Sequence, residues 1–192
     1  MKKTVFVLAA FLVASAAKAQ STFGLKFGAN IANLQAKVES ISVSLDNKIG
    51  FHGGAFFTIP AATNFSIQPE VVYSLEGAEF KQTNSKISLH MINLPVMFQY
   101  NASGFIVEAG PQLGFLLSAK EDGQDATQGY ENVNVALGMG AAYRLKQGVG
   151  FSARYNLGLS AIAKDADQDV TIKSNVIQLG VTFNVANLAK RR

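Results

Sequence analysis

GVGFSARYNLGLS, residues Gly148 to Ser160, alternates with a period of two. Side chains of a strand point to opposite faces in turn. One face therefore carries Val149, Phe151, Ala153, Tyr155, Leu157 and Leu159, and the other Gly150, Ser152, Arg154, Asn156, Gly158 and Ser160. The first face is unbroken apolar surface; the second is small or polar, with one arginine at its centre. A barrel in water turns the apolar face inward, and a barrel in a membrane turns it outward against lipid. The fold depends on which of these applies.

Seven further segments repeat the pattern: residues 23–34, 50–59, 65–76, 87–100, 105–117, 132–145 and 175–185. The third is the cleanest, with Phe65, Ile67, Val71, Tyr73 and Leu75 set against Ser66, Gln68, Glu70, Ser74 and Glu76. In the second, Phe56 falls on the polar face as an exception. The connections alternate in length. Those after the second, fourth and sixth segments are short turns, and those after the first, third, fifth and seventh are long and polar. Outer-membrane barrels sort their loops in this way, with short turns at one end and long loops at the other. Aromatic residues recur at the short-turn end of every segment: Phe23, Phe57, Phe65, Tyr100, Phe105, Tyr143, Phe151 and Phe183. Such a ring is what a membrane interface selects. The expected fold is all-β: an eight-stranded antiparallel up-and-down transmembrane barrel, with segments of ten to fourteen residues that match the span of a tilted strand.

The N-terminus reads as an address. Lys2 and Lys3 precede an apolar run from Val5 to Ala16, and Ala17-Lys18-Ala19 places small residues before Gln20. The run is too short to cross a bilayer as a helix, so residues 1–19 are expected to be a cleaved secretory signal and residues 20–192 the barrel domain. The chain has no cysteine, which excludes disulfides and a lipid-anchored cysteine. Its formal charge of +4 misleads. Without Lys2, Lys3 and Lys18, and without the tail Lys190-Arg191-Arg192, the 13 acidic residues outnumber the basic ones. That balance gives no support for nucleic-acid binding.

Several stretches resemble the PorT-type small outer-membrane β-barrel family of Bacteroidetes: SIQPEVVYSLEGAEF (66–80), INLPVMFQY (92–100), VEAGPQLGFLLSAK (107–120), VALGMGAAYRL (135–145), GFSARYNLGLSAI (150–162) and SNVIQLGVTF (174–183). They cover most of the chain from the third segment on. The resemblance implies an eight-stranded barrel in the outer membrane with both termini periplasmic, bathed in lipid and lipopolysaccharide. The long loops or periplasmic turns are expected to dock a protein partner, and the resemblance links that partner to secretion.

The charged residues of the polar faces define the candidate site. Lys26, Glu70, Glu108, Arg144 and Arg154 all fall on the lumen phase, and an eight-stranded lumen is only wide enough to be filled by its own side chains. Buried charges need partners, so these five are expected to form an internal ion-pair network that plugs the barrel. A narrow pore or transporter is the alternative. Pro69, Pro95 and Pro111 fall mid-segment, where they should mark bulges or backbone bonded into the lumen. Catalysis has thin support. His52 and His90 are the only histidines, and a lipid-modifying triad would need His90 beside Ser88 and Glu76. The acidic runs Glu121, Asp122, Asp125 and Asp165, Asp167, Asp169 lack the Gly and Glu of a calcium loop and read as solvated loop faces. No catalytic residue, metal ligand or cofactor is assigned.

Overall fold

The computed structural model describes residues 21–38, 41–44, 46–80, 85–164 and 170–185. The expected signal segment, the run Asp165, Asp167, Asp169 and the basic tail lie outside the described residues. Eight long strands run in order: β1 (Thr22–Val38), β2 (Asp46–Pro60), β3 (Phe65–Phe80), β4 (Ser85–Ala102), β5 (Phe105–Glu121), β6 (Val133–Arg144), β7 (Val149–Gly158) and β8 (Val170–Asn184). Each pairs antiparallel with the next, and β8 closes onto β1 from Gly24↔Asn184 to Val38↔Val170. The result is a closed eight-stranded antiparallel barrel, in which no long strand is left with an edge.

The faces are inverted relative to a protein in water. Phe151 is 57% exposed and its strand neighbour Arg154 is 4% exposed. Phe27, Phe51, Phe65, Phe98, Val107 and Leu179 also point outward. Asn30, Gln68, Ser74, Asn93, Gln99, Gln112, Asn156 and Gln178 are buried inside. Phe56 is the inward exception, buried because the position facing it across the ladder is Gly24; a Cβ there would lie 2.1 Å from the Phe56 ring.

The short turns gather at one end. Ser103 and Gly104 both have positive φ, the backbone of the tight hairpin turn whose twist matches its strands, and Gly tolerates it at no cost. The aromatic ring lies beside these turns, with Phe23 stacked near Phe57 at 5.1 Å and Phe65 near Tyr100 at 5.0 Å. Ten residues up from the ring on four strands come Asn33, Asn47, His90 and Val133. A rise of about 3.3 Å per residue at a tilt of about 40° makes that interval about 25 Å, the height of a membrane-barrel apolar band. At its upper edge polar side chains pair on the outer wall: Asn33 Nδ2 donates to Asn47 Oδ1 at 3.1 Å, and the Tyr73 hydroxyl lies 2.6 Å from His90 Nδ1.

Strands other than β6 and β7 exceed the expected lengths, because pairing continues beyond this band. There the inversion reverts: Leu34, Ala78, Leu89, Met91, Ala119, Tyr130 and Ile162 form an apolar core inside the long-loop end. A register shift at His90/Met91 opposite Leu117 achieves the change in β5, since Leu117 is 57% exposed while Ala119 is fully buried. The prolines do not make the expected bulges. Register continues unchanged across Pro69, Pro95 and Pro111, and the shifts fall instead between Asn47 and His52 and at His90. An antiparallel strand can lose one donor at a proline without inserting a residue.

Candidate functional site in the barrel lumen

Arg154 stands at the centre of the lumen on β7. The inward positions of the neighbouring β6 are small there, and Gly140 is its direct cross-strand partner, which lets the long side chain reach across. Its Nη1 and Nη2 donate to the two oxygens of Glu70 at 2.9 and 2.7 Å, a fork-on-carboxylate pair, and its Nε donates to Glu108 Oε1 at 2.8 Å. Lys26 Nζ donates to Glu70 Oε2 at 2.9 Å. Two cations and two carboxylates from β1, β3, β5 and β7 thus balance one another. Amides complete the shell: Gln68 Nε2 donates to Glu70 at 2.8 Å and Gln99 Nε2 to Glu108 at 2.8 Å. Thr58 then donates to Gln68 Oε1 at 2.9 Å. All four charged groups are buried. Bonds of this kind, closed on every member, are what make a buried ion cluster tolerable.

Four of the five charged residues singled out from the sequence meet in this cluster. Arg144 does not. It faces the short-turn mouth, half-buried, and lines a cavity of about 20 Å³ together with Lys26, Phe56, Gln68 and Glu108. That volume suits about one water molecule. Beyond the cluster toward the long loops, Asn30 Nδ2 donates to Ser74 Oγ at 2.8 Å, and Asn30 Oδ1 lies 2.8 Å from His52 Nδ1. Next come Glu76, bonded by Asn93 and Ser174, and Lys48, whose ammonium donates to the Ile87 carbonyl at 2.8 Å and to Ser88 Oγ. Phe56, Glu76 and Lys48 were absent from the sequence-derived site. The phase put Glu76 on the inner face, while nothing in the sequence marked the depth at which Phe56 and Lys48 lie.

The residues considered for catalysis are separated. His90 is on the outer wall against Tyr73, Glu76 is inside the lumen, and Ser88 serves Lys48. A one-residue offset along a strand sends side chains to opposite faces, so Glu76 and His90 cannot meet. The carboxylates at the long-loop end each hold the loop together. Asp122 Oδ1 accepts from the Lys86 amide at 2.7 Å, Glu121 from the Tyr130 hydroxyl at 2.8 Å, and Asp125 from the Thr127 amide and hydroxyl at 2.9 and 2.6 Å. Those two bonds to Thr127 hold the Asp125 carboxyl below the usual carboxylate range.

Comparison with known proteins agrees with this architecture. The crystal structure of Neisserial surface protein A superimposes with a TM-score of 0.52 at 15% identity, covering 84% of this chain and 96% of that one. The outer membrane protein AlkL in lipid bilayers (TM-score 0.49, 10% identity, 86% and 90% covered) is also similar. So is the attachment invasion locus protein Ail of Yersinia pestis (TM-score 0.48, 14% identity, 85% and 98% covered). No curated protein sequence matches the chain. A family model described as the outer membrane protein beta-barrel domain matches residues 15–164.

Proposed function

From the premise that this chain belongs to the outer membrane protein beta-barrel domain family, we propose that its lumen is a closed structural plug and that the protein acts without enzymatic activity, through its loops or short turns. Arg154 carries the reading: one buried guanidinium ties carboxylates from two other strands across the lumen, with Lys26 also on Glu70. Phe56 below and the apolar core above leave no continuous aqueous column in this reading. Thr22 and Asn184 are joined by a 3.0 Å hydrogen bond at the short-turn end, so both ends of the barrel leave on one side, which we assign to the periplasm. The outer wall meets outer-membrane lipid and lipopolysaccharide. A partner in secretion rests on the PorT-type resemblance alone.

Single-channel recording in planar bilayers tests the plug. The wild-type chain should show no steady conductance, and replacing Arg154, Glu70 and Glu108 together by alanine should open a small one. Steady ion-conducting steps from the wild type would refute the closed lumen.

A further inference from the structure

The charged side chains of this barrel are sorted by height. Glu70 and Glu108 are neutralised inside the lumen by Lys26 and Arg154. Every other Asp or Glu falls in the long connections or in the strand halves that lead into them. The turns 61–64, 103–104 and 145–148 contain none, and neither do the residues before β1 or after β8. The short-turn end carries Arg144 and Lys146, and by sequence the tail adds Lys190, Arg191 and Arg192. The charged side chains of this end are therefore all cations, and a cleft lined by one sign of charge draws ligands of the other.

Arg144 turns this field into a site. It lines a cavity of about 380 Å³ at the mouth with Thr22, Thr58, Ser66, Asn101 and Ser103, and no acidic residue borders it. Among the described residues its guanidinium has no hydrogen bond or ion pair. Glu108 lies behind it, but both carboxylate oxygens are taken, Oε1 by Arg154 and Oε2 by Gln99. Asn101 adds a second donor. Its Oδ1 accepts from the Gly104 amide at 2.9 Å, which fixes the way the side chain turns and leaves Nδ2 for a ligand. A guanidinium fork beside an amide donor, with no competing carboxylate, is a receptor for an oxyanion.

We propose that the short-turn mouth binds the free carboxylate end of a peptide, with Arg144 as its anchor. The planar fork matches a carboxylate, and one positive charge balances one negative charge. A phosphate monoester, with a charge of about −2, would be left half neutralised. Past the charge, the hydroxyls of Thr58 and Ser66 donate to Gln68 and Gln99, which leaves their oxygens to accept peptide N–H groups. Pro60 and Ala62 supply apolar surface for small side chains. Arg144 is on the lumen face of β6, so the ligand arrives from water along the barrel axis, while lipid headgroups meet the outer wall. The proposal rests on the reading that the short turns meet a partner, and it gives that partner a chemistry.

The test is an NMR titration of the full chain, isotopically labelled and folded in nonionic detergent micelles. The probes are acetyl-alanyl-alanine as the free acid and as its amide, at matched ionic strength so that screening is equal. The acid should shift the Arg144 Nε signal and the Asn101 and Ser103 amide signals saturably, and the amide should not. This comparison needs no variant. A stronger response to the D-alanyl-D-alanine acid assigns the ligand to cell-wall peptides, and a stronger response to the L-alanyl-L-alanine acid assigns it to a protein C-terminus. R144K keeps the charge without the fork and should bind about tenfold more weakly, the worth of one charge-assisted hydrogen bond. R144Q should not bind. Equal responses to acid and amide, no saturation with either acid, or a response that survives in R144Q overturns the proposal. So does tighter binding of inorganic phosphate than of the peptides. Conductance is a separate reading: a lumen that leaks leaves the peptide site standing, and a sealed lumen that binds no carboxylate refutes the site alone.

Discussion

At the scale of the residue, Arg154 illustrates how a buried charge is held. It makes three hydrogen bonds to two carboxylates, and its removal would leave Glu70 and Glu108 buried with only Lys26 between them. Breaking a buried ion network by deleting one partner costs about 3–5 kcal/mol. R154M should therefore lower the unfolding free energy in micelles by that order. The double replacement R154M/E108Q should recover part of the loss, since it leaves Lys26 paired with Glu70 and no uncompensated charge. A double variant as unstable as the single one would show that packing, not charge, explains the effect. The inner-face membership of Lys26, Glu70, Glu108 and Arg154 was legible from alternation alone. Their pairing was not, because partners 44 to 84 residues apart are matched by register around the barrel, which no local pattern encodes.

At the scale of the element, the hairpin between β5 and β6 is built by its own polar residues. Asp122 and Gly123 take positive φ at its tip, Gln124 pairs back onto Glu121, and Asp125 accepts two bonds from Thr127. The folded Asp125 carboxyl titrates below its ordinary value of 3.8, so its contribution is present above that value and is lost as pH falls through the lower, folded one. Protease sensitivity of this hairpin should therefore stay constant from neutral pH to about pH 4 and rise only in stronger acid. D125N should raise the sensitivity already at neutral pH. Sequence showed this segment as a polar loop and the strands as ending near Leu34, Glu76 and Leu117. The strands run further because beyond the membrane band the same ladder continues with its apolar side turned in, and a single extra residue at Leu117 switches the phase. Period-two reading cannot follow a strand through a bulge.

At the scale of the molecule, the exposed apolar band between the aromatic ring and the row of Asn33, Asn47 and His90 defines what the lipid must cover. Arginine placed on the outer wall at mid-height of such a band costs about 2–4 kcal/mol, falling to about 0–1 near its edges. A109R, near the centre of β5, should therefore impair folding into lipid vesicles far more than N33R at the upper rim. Equal penalties at the two sites would place the band elsewhere.

The chain by itself determined the class of fold: alternation in eight segments, loops sorted by length and a ring of aromatics leave one solution in which apolar side chains face lipid. These are local signals, set by the geometry of a single strand and by the solvent that each face meets. Tertiary structure alone decided how the lumen is filled, because its contents come from every strand at once. Only closure of β8 onto β1, with its register, brings Arg154 to Glu70, seats Phe56 over Gly24, and turns Asn93 and Asn134 toward the same point above Gly114.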